Sequence, residues 1–374
     1  MPPVAYLDHA ASTPMRAEAV EAMRPFLQDR FANPSGAHAA ARDARRAVDE
    51  ARDVVAEALG CQPGEVVFTS GGTEADNHAV LGAVRHHGGV AVATAVEHHA
   101  VLHPVEHVGG RLVPVDERGR VDLDALAAVL NDDVTVVSVM LANNEVGTVQ
   151  PFDAVTALVR QRAPRAVLHT DAVQGFAWLD VAVLTAEADC VSVSAHKFGG
   201  PKGVGALVVR TGTTLEPLIL GGGQERDRRS GTHNVAGIVA MAAAMRATVA
   251  ERAPTVERVG AQRDRLVDGL IAAVPDLFET VPRVDKVAGS AHVCVDGIES
   301  EALLFLLERG GVYASVASSC ASGAMEPSHV LAAMGVAKER SGGALRLSLG
   351  YASTDADVDL ALEVVPDAVR RLRR

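Results

Sequence analysis

The stretch "SVSAHKFGGPKGVG", Ser192 to Gly205, carries an apolar run directly into a lysine. Lysine is almost never buried unless it is paired or used. Taken out of water, its amine loses its proton more readily and becomes a nucleophile toward carbonyl carbon. Lys197 is therefore the first chemical candidate in the chain. Ser194 and His196 flank it with donors, and Gly199, Gly200 and Gly203 let backbone approach a ligand closely. The same local pattern, polar groups at the end of an apolar run, recurs at Ser70-Gly71-Gly72-Thr73, Glu97-His98-His99, Asn143-Asn144-Glu145 and Asp171-Ala172-Val173-Gln174.

A pyridoxal phosphate cofactor makes four demands on a protein. It needs a lysine for its aldehyde, a carboxylate beside the pyridine nitrogen, a planar group over the ring, and donors for a phosphate dianion. A helix N-terminus suits the last of these. Each demand has a candidate here. Asp171 suits the ring nitrogen, Gln174 and Asn144 the ring oxygen, and His98 the ring face. Gly71-Gly72-Thr73 opens a helix and suits the phosphate, with Ser194 and His196 as further donors. Taken singly, these residues have plainer readings. Lys197 reads as a surface lysine, Asp171 as a helix N-cap, His98 and His99 as loop histidines, and Thr73 with Asp76 three residues on as a cap. "GGTEADN" is not a Walker loop, because no Gly-Lys-Ser/Thr closes it, and no GxGxxG follows the first strand.

Those clusters acquire a common place once the elements are laid out. Val-rich runs at Glu65–Ser70, Gly89–Val96, Arg111–Val115, Val134–Leu141, Arg165–Asp171, Asp189–Ala195 and Val204–Arg210 read as strands buried on both faces. Helical patterns lie between several of them, and the βαβα order predicts a mostly parallel sheet with helices on both sides. Ligands bind such sheets beyond the carboxyl ends of the strands, which is where all five polar clusters fall. A long amphipathic helix closed by Gly60 precedes the block. After it come two helices, roughly Val235–Arg252 and Thr255–Val274, then a second αβ set: strand "SAHVCV", helices "SEALLFLLERG" and "PSHVLAAMG", strand "ALRLSLG" and a final helix after Ser353. A domain boundary is expected near residue 250.

The 374 residues suffice for two domains and a sizeable core. The net charge of -12, with no basic tract, argues against a nucleic-acid partner. The basic end Arg370–Arg374 reads as the last turn of a helix, where cations suit the dipole. No basic segment followed by an apolar one opens the chain, and no apolar run reaches membrane-spanning length, so a cytoplasmic protein is expected. Cys61, Cys190, Cys294 and Cys320 are scattered without CxxC spacing, which argues against a zinc site and a disulfide scaffold.

In order along the chain, "YLDHAAST", "NPSGAH", "FTSGGTEADN", "EHHAVL", "NNEVGTVQP", "HTDAVQ", "SAHKFGGPKGVGAL", "GGGQERDRRSGT" and "SSCASGAMEPSHVLAAMG" resemble the motifs of the cysteine desulfurases. These are class V, fold-type-I pyridoxal-phosphate enzymes. The resemblance runs from about Tyr6 to Gly350, and its last stretch is similar to the subgroup serving iron–sulfur cluster assembly and tRNA thiolation. It implies a seven-stranded, mostly parallel sheet in a large cofactor-binding domain, residues 15–250. Residues 1–14 and 251–374 would form a smaller α+β domain carrying a cysteine loop at about 315–327.

The resemblance also implies roles. Lys197 would carry the cofactor, Asp171 and Gln174 would contact its ring, His98 would stack and move protons, and Asn144 would be a further contact. Gly72, Thr73, Ser194 and His196 would hold the phosphate, and Thr232 would reach the phosphate of the other subunit in a homodimer. Arg346 would clamp the substrate carboxylate, with Asn33 near the substrate. Cys320 would be the nucleophile that takes sulfur from L-cysteine as a persulfide and passes it to an acceptor protein. Cys320 lies in "ASVASSCASGAMEP", a run with little to bury and a thiol open to reaction. Cys190 and Cys294 alternate with valines and read as core. Three positions depart from the family pattern: Asp227 stands where glycine is usual, Ser12 where threonine is commoner, and Ala321 where threonine or serine is frequent. The alternatives are a selenocysteine lyase or small-amino-acid aminotransferase of the same superfamily, and a catalytically silent sulfur-carrier scaffold.

Overall fold

The computed structural model describes residues 4–316 and 328–374. Seven strands form one sheet in the spatial order Val66–Thr69, Gly205–Val209, Cys190–Ser194, Val167–Asp171, Val134–Ser138, Val90–Thr94, Arg111–Val113. Neighbours run parallel except Gly205–Val209, which is antiparallel to both strands beside it. Successive side chains alternate between faces. Val136, Val167 and Cys190 pack under helices Gly72–His87 and His99–His107, while Val137, Leu168 and Val191 pack under helices Ala39–Leu59, Phe152–Arg162 and the start of Val235–Ala273. Both faces are covered, which is why apolar residues recur on both sides of these strands. Helix Ala39–Leu59 buries Ala41, Ala44, Ala47, Val48, Ala51, Val55 and Leu59, one stripe at helical spacing, and stops at Gly60 in the left-handed conformation.

A second apolar cluster gathers residues from both ends of the chain. Strand Ser290–Val295 lies between Leu277–Glu279 and Ala344–Ser348, antiparallel to each. Helices Ser300–Arg309 and Asp355–Leu372 pack there, joined by Ala5 and Leu7 from the N-terminal segment. That segment pairs Ala5–Tyr6 in parallel with Val312–Tyr313.

The two helices expected on either side of residue 253 are one helix, Val235–Ala273, which runs through Pro254. Proline removes one ladder donor and crowds the carbonyl four residues earlier, so the sequence suggested a break. Burial on both sides outweighs that loss. Met241 and Met245 are fully buried in the first cluster, and Val259, Leu266 and Leu270 in the second. Among the described residues, no helix is long and apolar enough to cross a membrane.

Candidate active site

Because most of the strands run in parallel, several end along one edge and deliver their last side chains to one place. Asp171 and Ser194 are the final residues of adjacent strands. One 3-10 turn, Ala195–Lys197, then swings Lys197 over that edge. The result is a cleft of about 890 Å3 lined by Gly72, Thr73, His98, Asn144, Asp171, Gln174, Ser194, His196, Lys197 and Arg346. Ten residues singled out in the sequence thus meet in one cavity. Ala10, Ala11, Asp76, Met140 and Val173 complete its wall.

Lys197 Nζ donates to Ala10 O at 2.5 Å and to Ala11 O at 3.0 Å. Burial, and then the nearby Arg346 charge, push its amine down to about 8, against the opposing pull of Asp171 and Asp8. Arg346 reaches the cleft from strand Ala344–Ser348. Its Nη2 donates to Asp8 Oδ1 at 2.8 Å and its Nη1 to Asn144 O at 3.0 Å, while its Nε is buried without a partner among the described residues. Gln174 Nε2 donates to Ala10 O at 2.8 Å.

His98 caps helix His99–His107, its Nδ1 accepting from Ala100 N–H at 3.1 Å. That bond places the ring proton of the neutral imidazole on Nε2. The ring is accessible across the open cleft but closely surrounded elsewhere. That surrounding protein, and then the Lys197 charge, hold the imidazole below its ordinary range.

Buried acids lie in and around the cleft. Asp171 Oδ1 accepts from Val173 N–H at 2.8 Å; burial raises its carboxyl, with that bond and Lys197 working the other way. Burial also raises Asp76 well above the carboxylate range, and Glu97 to about 8. Glu145, which accepts from the Ser328 hydroxyl, is raised by burial to about 7.

The far end of the cleft is built on glycine. Gly71 has φ 154° and ψ -174°, a region open essentially to glycine alone. A Cβ on Gly72 would lie 2.8 Å from Val173 Cγ2. The helix Gly72–His87 begins here with no side-chain cap, so its first N–H groups and the Thr73 hydroxyl are available to a ligand. The reading of Thr73 as that helix's cap does not hold: Gly71 is the N-cap and Thr73 lies within the first turn.

Two candidates stand elsewhere. Asn33 and Thr232 are exposed on surface loops and do not line the cleft of their own chain. Cys320 lies outside the described residues. The loop before Thr232 is held by Glu225, which bonds Arg52 at 2.6 Å, His233 at 2.7 Å and Phe68 N–H at 3.0 Å. Glu225, Arg226 and Asp227 all have positive φ, at 49°, 58° and 64°. Glycine adopts that conformation freely, so Asp227 occupies a position where its own side chain is the unfavourable choice.

Sequence reasoning gave no role to Asp8, to the Ala10 and Ala11 carbonyls or to Glu97 as a buried acid, and gave Asp76 only a part in a helix cap. The available signal was "YLDHAAST", a short motif ahead of the first long helix whose polar residues had no local element to serve.

A mostly parallel sheet with a lysine turned over its strand ends, facing an aspartate and a glycine-opened helix, is the architecture of the NifS-like, fold-type-I proteins. A solved NifS-like protein superposes with a TM-score of 0.93 at 35% identity, over 99% of this chain and 100% of that one. The chain belongs to the class-V aminotransferase family, whose family model matches residues 5–361, and within it to the cysteine desulfurases. The cysteine desulfurase IscS of Methanosarcina thermophila is 42% identical over 98% of this chain and 92% of its own length. The IscS-like cysteine desulfurase of Mycobacterium tuberculosis is 45% identical, over 99% and 98%.

Proposed function

We propose that this protein is a cysteine desulfurase: it takes the sulfur from L-cysteine, releases L-alanine and holds the sulfur as a persulfide on Cys320 for an acceptor protein. The observation that carries the reading is the convergence of Lys197, Asp171, His98 and Arg346 on one cleft in a chain of this family. The residues present fit pyridoxal 5'-phosphate. Lys197 offers an amine that burial lowers to about 8, Asp171 a buried carboxyl for the ring nitrogen, and His98 an imidazole on the cleft wall. The glycine-opened helix, with Thr73, Ser194 and His196, suits the phosphate, and Asn144 and Gln174 the ring's periphery. Bound there, the cofactor supplies an aldehyde for amino groups and a ring that draws electrons from the substrate's α-carbon.

The chain's own groups account for the rest. The Arg346 guanidinium offers a fork for the cysteine carboxylate and so fixes the orientation of the α-carbon. Lys197 Nζ, with its lowered proton affinity, takes the α-proton. His98 Nε2 is the group suited to move thiol protons. The Cys320 thiolate attacks the substrate sulfur: the substrate C–S bond breaks, an S–S bond forms, and the β-carbon of alanine takes up a proton. Thr232 and Asn33, exposed and off their own cleft, suit a homodimer in which the surface loops complete the partner's site.

The test is an alanine assay with L-cysteine as substrate, together with mass spectrometry of the cysteine-loop peptide. The parent should form alanine and carry 32 extra mass units on Cys320, about one sulfur atom. Lys197→Ala should form no alanine. Cys320→Ala should retain its yellow cofactor and release no sulfide with dithiothreitol; full sulfide output from that variant would refute the persulfide step.

A further inference from the structure

Three carboxyls stand together under the cleft, Asp171, Asp76 and Glu97, at 5%, 1% and 0% exposure. The proposed function uses Asp171 and leaves Asp76 without a task. Asp76 sits on helix Gly72–His87 and lines the same cleft as Asp171. Its Oδ1 is 3.5 Å from His169 Nε2 and has no hydrogen-bond partner among the described residues, and the nearby Ser192 hydroxyl favours its charged form against the burial that opposes it. From there a buried chain continues: Ser192 Oγ lies 2.9 Å from His169 Nε2, and Ser138 Oγ 2.8 Å from His169 Nδ1. Ser138 is the register partner of His169, and Ser192 of Asp171. The pleat therefore puts all four side chains on the sheet face that helix Gly72–His87 covers.

That arrangement fixes where protons sit. The groups facing the carboxyls come from every element packed there. Asp76 comes from the helix, His169 and Asp171 from one strand, Ser192 from the next, Glu97 from the turn after Val90–Thr94, and Lys197 from the 3-10 turn. Three dry carboxylates facing one ammonium is not a state a protein interior sustains. Asp171 has the Val173 N–H and Lys197 to favour its anion, whereas Asp76 has Ser192 alone. His169, fully buried, is neutral and has one N–H to give.

Resting on the reading of this cleft as a pyridoxal phosphate site, we propose that Asp76 is a positioning residue: a proton-bearing acid whose O–H donates into the Ser192–His169–Ser138 chain and leaves Asp171 as the single anion beneath the cofactor's ring nitrogen. The chain then has one sense. Asp76 O–H donates to Ser192, Ser192 O–H to His169 Nε2, and His169 Nδ1–H to Ser138. It ties the helix that opens the phosphate end to the strands that end in Asp171 and Ser194.

The experiment compares Asp76→Asn and Asp76→Leu as holoenzymes carrying cofactor labelled with 15N in the ring. The readouts are the ring-nitrogen chemical shift against pH and the cofactor dissociation constant. Asparagine is neutral and can donate to Ser192, so it should keep the ring protonated and hold affinity within about threefold of the parent. Leucine has similar size and no donor. It should weaken cofactor binding by about tenfold and lower the pH at which the ring loses its proton by about one unit. The proposal is overturned if Asp76→Asn behaves like Asp76→Leu, which would mean that the charge of Asp76 matters, or if Asp76→Leu changes neither readout. Infrared spectroscopy covers the case of an unfolded leucine variant. A carboxylic-acid C=O component lost in the difference between the cofactor-free parent and Asp76→Asn supports the proposal, and its absence from that difference sinks it. If the parent binds no cofactor at Lys197, the proposed function fails, and the infrared band still decides Asp76.

Discussion

The depressed proton affinity of Lys197 makes a quantitative prediction about how fast the cofactor-free protein captures its aldehyde. Only the neutral amine attacks carbonyl carbon. With a midpoint of about 8 in place of the usual 10.5, the neutral fraction at about pH 7.5 is roughly one quarter instead of one part in a thousand. Capture should therefore run about 200-fold faster than for an ordinary lysine, and its rate should rise with pH through a midpoint near 8. After burial, the largest cause of the shift is the Arg346 charge. Two like charges lining one cleft at an effective dielectric of about 20 repel by roughly 1–2 kcal/mol, on the order of one pKa unit. Arg346→Gln removes that repulsion and also strips Asp8 of its partner, 2.8 Å away. Both changes favour the ammonium, so the midpoint should rise by about one unit and capture at about pH 7.5 should slow about tenfold. Arg346→Lys keeps the charge and should keep the midpoint near 8. The assay is stopped-flow absorbance of cofactor-free protein mixed with pyridoxal phosphate across a pH series, with thermal melts confirming the fold. A parent midpoint near that of free lysine, or an unmoved midpoint in Arg346→Gln, would refute the electrostatic reasoning.

Three further outcomes follow, two from the loop before Thr232 and one from the glycine-opened end of the cleft. Burial raises the Glu225 carboxyl, but bonds from His233 and Arg52 outweigh it and bring the carboxyl down to about 2. Its contribution is complete above the ordinary pKa of 4.5 and disappears as pH falls from there toward about 2, so Glu225→Gln should cost about 3 kcal/mol in urea melts at neutral pH and flatten the acid limb of stability. Asp227→Gly places a permissive residue at φ 64° and should raise stability by about 0.5 kcal/mol, the relief of strain exceeding the added chain entropy; a lower melting temperature would contradict this. Gly72→Ala drives a methyl group to 2.8 Å from Val173 Cγ2 and should weaken cofactor binding about tenfold while far-UV circular dichroism stays unchanged.

The sheet was legible because strands buried on both faces read as largely apolar runs, as Val134–Ser138 and Gly205–Val209 do. Most of the site was legible for a related reason: a parallel strand that ends at a cleft must stop on a polar residue, as Asp171 and Ser194 do. What stayed hidden has no local signature. The Ala10 and Ala11 carbonyls that receive Lys197 belong to backbone, which no residue type announces. The Asp8–Arg346 pair spans 338 positions. Asp76 resembles an ordinary first-turn acid until the sheet beneath it shows that it faces His169 instead of solvent. Pro254 was misleading because its effect is local and the burial that overrides it comes from distant parts of the chain.

The wall opposite Lys197 comes from residues 8–11, and the guanidinium beside it from position 346. During synthesis the first of these leaves the ribosome long before the last. A nascent chain that already displays the lysine, the aspartate and the phosphate-facing helix still lacks the strand that carries Arg346, so no partial product has a finished pocket. A truncated chain, however well its sheet has folded, lacks the guanidinium that completes the pocket for a substrate carboxylate.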